Sequence, residues 1–157
     1  MAGQEIKMVV DMIRSIVADP NATVQMQRAG FESSMGMMPV PAGVKVTPVT
    51  AGGIASIWVD SPAARKDHAI LYLHGGGYVI GSPNTHRSLA AKLSETSKAR
   101  VLVIDYRMAP EAPFPAAVED AVKAWRWLLA EGFAAGKLAI SGDSAGGGLA
   151  LATLVSL

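Results

Sequence analysis

Apolar positions change their spacing several times along the chain, and each change marks a new element. Ile6, Val9, Val10, Ile13 and Val17 recur at three and four residues, which predicts one apolar stripe on a helix ending near Asp19-Pro20. Over residues 21–41 no single period holds: Met26, Met35, Met37 and Met38 scatter around Gly36, and the segment reads as a loop or a short helix. VKVTPVT and IASIWV then flank Ala51-Gly52-Gly53, where glycine supplies the positive φ of a tight connection, so residues 44–59 predict an antiparallel hairpin.

After a polar loop, SPAARKDH, come AILYLH, HRSLAAKLSETSKA and RVLVIDY: strand, helix and strand, one βαβ unit. A proline-rich loop, MAPEAPFP, leads into a helix over residues 116–130, with Val118, Val122, Trp125 and Leu129 on one face and Gly132 as its stop. Trp125 and Trp127 differ by two positions, so one is expected to pack and the other to lie near the surface. KLAIS is the next strand, and residues 149–157 form a helix apolar on all sides, the pattern of a buried one. Strands that are continuously apolar and alternate with helices predict an α/β fold: a mainly parallel sheet covered on both faces, with the hairpin adding antiparallel edge strands. No repeat or linker divides residues 1–157, so a single domain is expected.

Composition narrows the function classes. Half of the 157 residues are hydrophobic and 17% are charged, enough apolar surface for a folded core. Fourteen basic and thirteen acidic residues leave a net charge of +1 with no basic block, which argues against a nucleic-acid partner. Without cysteine there is no disulfide, thiolate metal site or cysteine nucleophile. Glu5 and Asp11 interrupt the N-terminal apolar pattern, unlike a secretory signal, so an intracellular, cytoplasmic protein is expected. The apolar run over 146–157 falls short of the ~20 residues that cross a bilayer, and no membrane span is expected.

The candidate chemistry lies in two glycine-rich turns. Gly142-Asp143-Ser144-Ala145-Gly146 fits G-x-S-x-G between a strand and a helix, the setting in which a strained turn lifts a serine Oγ above the sheet. Ala145 would open the helix, so its amide points outward where an oxyanion could form. A glycine-rich turn that only closes a strand–helix junction would have the same five residues. The second turn weighs against that reading: His74-Gly75-Gly76-Gly77-Tyr78 directly follows the strand AILYL, and its glycines free backbone amides to face the other side of an acyl carbonyl. Neither turn satisfies G-x-G-x-x-G or carries the GK[ST] of a phosphate loop.

LYLHGGGYVIGSPNTHR, DYRMAPEAPFPAAVEDA and GDSAGGGLA, in this order, resemble the hormone-sensitive-lipase-like carboxylesterases of the α/β-hydrolase fold. The resemblance covers residues 69–157 strongly and the N-terminal third loosely, where residues 1–41 correspond to a variable cap segment. It implies that Ser144 is the nucleophile, that the amides of Gly76, Gly77 and Ala145 form the oxyanion hole, and that His74 and Gly75 support the glycine loop. It further implies a small-molecule ester as substrate, no cofactor, no metal, and leaves a homodimer of the intact protein open. A ligand-binding protein of the same fold is the competing class.

Other polar residues are assigned structural roles. His86 is expected to be a satisfied surface or loop histidine, and His68 lies in a polar loop. Three histidines without HExxH spacing or a carboxylate cluster make no zinc site. Asp143 is expected to hydrogen-bond locally, Arg107 to pair with Glu111, and the Met26–Met38 cluster to fill the core of the cap. In this fold the triad runs serine, acid, histidine, and AGGGLALATLVSL after Ser144 contains neither acid nor histidine. The expectation is an N-terminal portion of a longer esterase, inactive alone, whose triad Asp and His lie outside these residues.

Overall fold

A computed structural model describes residues 2–17 and 21–157. Helix α1 (Ala2–Val17) forms over the segment whose spacing predicts a helix; its expected end near Asp19-Pro20 lies outside the described residues. Residues 21–41 resolve in favour of a helix, α2 (Val24–Met35), capped by the Thr23 hydroxyl, which accepts from the Met26 amide. The methionines of this segment do not form a core: Met26, Met37 and Met38 are exposed and Met35 is half-buried, because α2 docks through Arg28, Glu32 and Phe31 and not through an apolar stripe.

The predicted hairpin is β1 (Lys45–Ala51) paired antiparallel with β2 (Ile54–Asp60). Strand β3 (Arg65–Leu73) starts four residues inside the expected polar loop, since Arg65 already pairs with Ala99 before an irregularity that precedes Ala69. Helix α3 (Pro83–Ser97) begins with a capping box between Ser82 and Thr85, and β4 (Ala99–Ile104) returns parallel to β3. Helix α4 (Ala116–Ala130) leads through a short 3-10 turn, Ala135–Lys137, to β5 (Leu138–Gly142) and α5 (Ala145–Val155).

The sheet runs β1-β2-β4-β3-β5, with β1 and β2 antiparallel at one side and β4, β3 and β5 parallel. Alternate residues of the strands feed two cores. Leu71, Leu73, Leu102 and Ile104 pack under α4 and α5, while Ile70, Tyr72, Val101 and Val103 pack with Ala90 and Ala91 of α3. That two-faced burial is why these strands read as unbroken apolar runs.

Three expectations about the helices change. Of the expected α4 face, Val122 is buried and Val118 and Trp125 pack against the core, but Leu129 is exposed and the deepest positions are Ala121, Ala124 and Leu128; small residues let the helix lie close to the sheet. Trp125 and Trp127 are both half-buried against the same cluster, and Trp127 meets Trp58 at 6.3 Å between ring centroids. Helix α5 buries Leu149, Ala150 and Thr153 but leaves Leu151, Leu154 and Val155 exposed, so among the described residues only one side is covered.

Candidate active site

Register brings the two glycine turns together. In the parallel pair β3–β5, Leu73 lies opposite Gly142, so His74 and Asp143 leave the sheet side by side at the same end. Ser144 stands between β5 and α5 with φ 50° and ψ −122°, one of three non-glycine residues at positive φ among the described residues. Such a conformation costs about 1–3 kcal/mol and persists only where surrounding structure imposes it. Here the constraint is close packing: a β-carbon on Gly146 would meet the carbonyls of Leu73 and His74, so only glycine lets α5 start against the end of β3. The Ser144 side chain is exposed above this junction.

The peptide planes of the glycine loop are fixed by their carbonyls. Gly75 O meets His74 Nδ1 at 2.9 Å, and Gly76 O accepts from the amides of Val79 and Ile80, both at 3.0 Å. In a trans peptide the N–H points opposite to the carbonyl it shares a plane with. The amides of Gly76 and Gly77 are therefore turned away from those partners, and among the described residues no group accepts from them or from the Ala145 amide. Gly76 has φ 119°, and a β-carbon there would meet the Ile80 carbonyl. Three N–H groups thus have no acceptor among the described residues, and one of them stands at a helix N-terminus where the dipole adds positive potential.

A family model described as the alpha/beta hydrolase fold matches residues 70–157. The chain belongs to that family. Over its full length this α/β hydrolase is 42% identical to an acetyl-hydrolase of Streptomyces hygroscopicus, of which it covers 52%. It is 48% identical over 95 residues to an ethyl acetate hydrolase of Pseudomonas putida, covering 58% of this chain and 30% of that protein. A crystal structure of an esterase from the bacterial hormone-sensitive lipase family superposes with a TM-score of 0.93 at 46% identity, over 98% of this chain and 52% of that one. The chain thus spans about half the length of the relatives it resembles end to end, and it is similar to the hormone-sensitive-lipase-like carboxylesterases throughout.

Beneath the two turns lies a polar cluster that the sequence only partly announced. Asp143 Oδ1 accepts from the Gly75 amide at 2.9 Å and the Tyr72 hydroxyl at 2.9 Å, and lies 3.5 Å from His86 Nε2. Burial pushes the Asp143 carboxyl up, but the bonds from His86 and Tyr72 outweigh it and hold the group at about 2. His86 is not a surface histidine. It is buried on α3, with Nδ1 2.8 Å from Thr85 Oγ1 and its ring 6.2 Å from that of Phe31 on α2. His74 is fully buried, stacked on Tyr106 at 4.2 Å, and burial pulls it down to about 4, so the ring is neutral near pH 7.

None of these imidazoles reaches the serine: among the described residues no side chain hydrogen-bonds Ser144 Oγ, and His68 sits at the far end of β3 against Asp67 and Lys137. The expected Arg107–Glu111 pair is also replaced. Arg107 binds Asp120 and Glu119 on α4, joining the end of β4 to that helix. Glu111 instead takes a two-pronged bond from Arg28 of α2. Four residues on, Glu32 accepts from Ser82 Oγ and Asn84 Nδ2 at the start of α3. Arg28 and Glu32 share one helix face, a spacing legible only once the helix itself is granted.

Proposed function

We propose that this hydrolase domain is the nucleophile-bearing part of a carboxylesterase that acts through an acyl-enzyme on Ser144. The observation that carries the reading is the strained Ser144 turn placed beside the uncommitted amides of Gly76, Gly77 and Ala145. Ser144 Oγ attacks the ester carbonyl and gives its proton to a base; the carbonyl oxygen becomes an oxyanion held by the three amides. As the tetrahedral intermediate collapses, the bond to the alkoxy oxygen breaks and the base returns its proton to the departing alcohol. Water, deprotonated by the same base, then attacks the acyl carbonyl; the bond to Ser144 Oγ breaks, the base returns its proton to Oγ, and the acid leaves.

Neutral buried His74 supports the glycine loop and is not the base, and His86 is turned to Asp143. The base and its carboxylate are assigned to residues outside these 157, in keeping with relatives about twice as long. The names of those relatives favour small acyl groups such as acetate in an otherwise unspecified ester. Residues 1–41 serve as a cap segment through α2. No cofactor is required by this chemistry. The test, made on the full-length protein that supplies the base, is reaction with a fluorophosphonate, followed by peptide mass, beside hydrolysis of 4-nitrophenyl acetate. Covalent labelling confined to Ser144 and lost in Ser144→Ala supports the proposal; turnover that survives Ser144→Ala overturns it.

A further inference from the structure

We infer that Asp143 is a positioning residue that joins the serine turn to the glycine loop and thereby sets where the Gly76 and Gly77 amides lie relative to Ser144 Oγ. It sits next to Ser144 in the chain, yet its carboxylate reaches the neighbouring strand's exit and takes the Gly75 amide at 2.9 Å. With Gly75 O held by His74 Nδ1, both ends of that residue are anchored, and the orientation of the following amide, that of Gly76, is determined. The fit leaves no slack: a β-carbon on Gly75 would meet the Asp143 carboxylate.

The carboxylate is itself held from below. Tyr72 comes from β3 and His86 from α3, so Asp143 is anchored by two elements independent of the turn it belongs to. A side chain needed only to close a strand–helix junction would cap its own helix. No cap bond from a side chain exists at the α5 N-terminus, and Asp143 turns to the other loop instead. The catalytic consequence rests on the acyl-transfer reading above; the positional claim does not.

Two readouts separate them. Amide hydrogen exchange across residues 74–78 is compared in wild type, Asp143→Asn, Asp143→Ala and Tyr72→Phe, alongside the rate of fluorophosphonate labelling at Ser144. Loss of a charged acceptor is worth about 10- to 100-fold in an opening equilibrium. Exchange of the 74–78 segment should therefore rise by about that factor in Asp143→Ala, less in Asp143→Asn, which keeps an acceptor oxygen, with β3 and β4 unchanged. Labelling should fall in the same order. Tyr72→Phe should lower the melting temperature yet keep loop exchange and labelling within about twofold of wild type, because the Gly75 bond remains. Loop exchange unchanged in both Asp143 variants overturns the inference, as does Tyr72→Phe matching Asp143→Ala. If Asp143→Ala does not fold, Asp143→Asn decides. Labelling is measured on the full-length protein, which carries the base; if wild type in that form fails to label, the acyl-transfer reading fails while exchange still decides this one.

Discussion

Arg28 and Glu111, 83 positions apart, meet in a parallel two-pronged bond at 2.9 and 2.8 Å. The same guanidinium donates to the carbonyls of Val79 and Ala109 at 2.7 and 2.8 Å, one just beyond the glycine loop and the other in the proline-rich loop. One side chain thus fastens α2 to two loops, and its planar fork is what lets it serve four acceptors.

Arg28→Ala should therefore release α2. Limited proteolysis should cut within residues 21–41 several-fold faster, with the sheet still intact. Arg28→Lys should rescue little, since an ammonium cannot reproduce the fork. Equal cleavage rates in wild type and Arg28→Ala would show that α2 is held by other contacts.

Gly146→Ala should be among the most damaging single changes. The added carbon meets backbone carbonyls of Leu73 and His74, which cannot move without shifting β3. A loss of about 3 kcal/mol or more in urea unfolding is expected, in the range reserved for overpacking and backbone strain. A loss below about 1 kcal/mol would mean that α5 can slide away from the strand.

Ser144→Gly should do the opposite. Glycine occupies φ 50°, ψ −122° without the clash a β-carbon brings, so the variant should gain about 1 kcal/mol despite a more flexible unfolded chain. Labelling by a fluorophosphonate should vanish. Equal or lower stability would mean that the turn is relaxed as it stands.

Acid should weaken the fold in two separate windows. His74 is pulled from 6.5 to about 4 by burial, so between these values the unfolded chain takes up a proton that the folded one refuses. Stability should fall by up to about 3 kcal/mol as pH drops from 6.5 to 4. Asp143, held at about 2 against an ordinary 3.8, contributes fully above 3.8 and loses its contribution as pH falls from there to 2. Urea midpoints measured from pH 7.5 to 4 should show the first window, and His74→Gln should flatten it. A midpoint constant over that range in wild type would contradict the burial of His74.

What was legible in the chain follows the range of each interaction. The hairpin, the βαβ unit, the helix after MAPEAPFP and the serine turn are local patterns, and each lies where its period or its glycines placed it. Periodicity does not register helix α2, because that helix docks through Arg28, Glu32 and Phe31 and not through an apolar stripe. Nearness in sequence suggests an Arg107–Glu111 pair, yet their partners come from α4 and α2.

The sequence by itself determined the order of elements from the hairpin onward, the doubly covered sheet and the two glycine turns, since these depend on alternation, on helical period and on where the backbone needs glycine. Only the tertiary structure decided that Leu73 and Gly142 share a register, that Asp143 reaches Gly75, and that His86 is buried beneath them. Those facts depend on which strands become neighbours; burial then lowers His74, while hydrogen bonds from His86 and Tyr72 lower Asp143 against the opposing effect of burial.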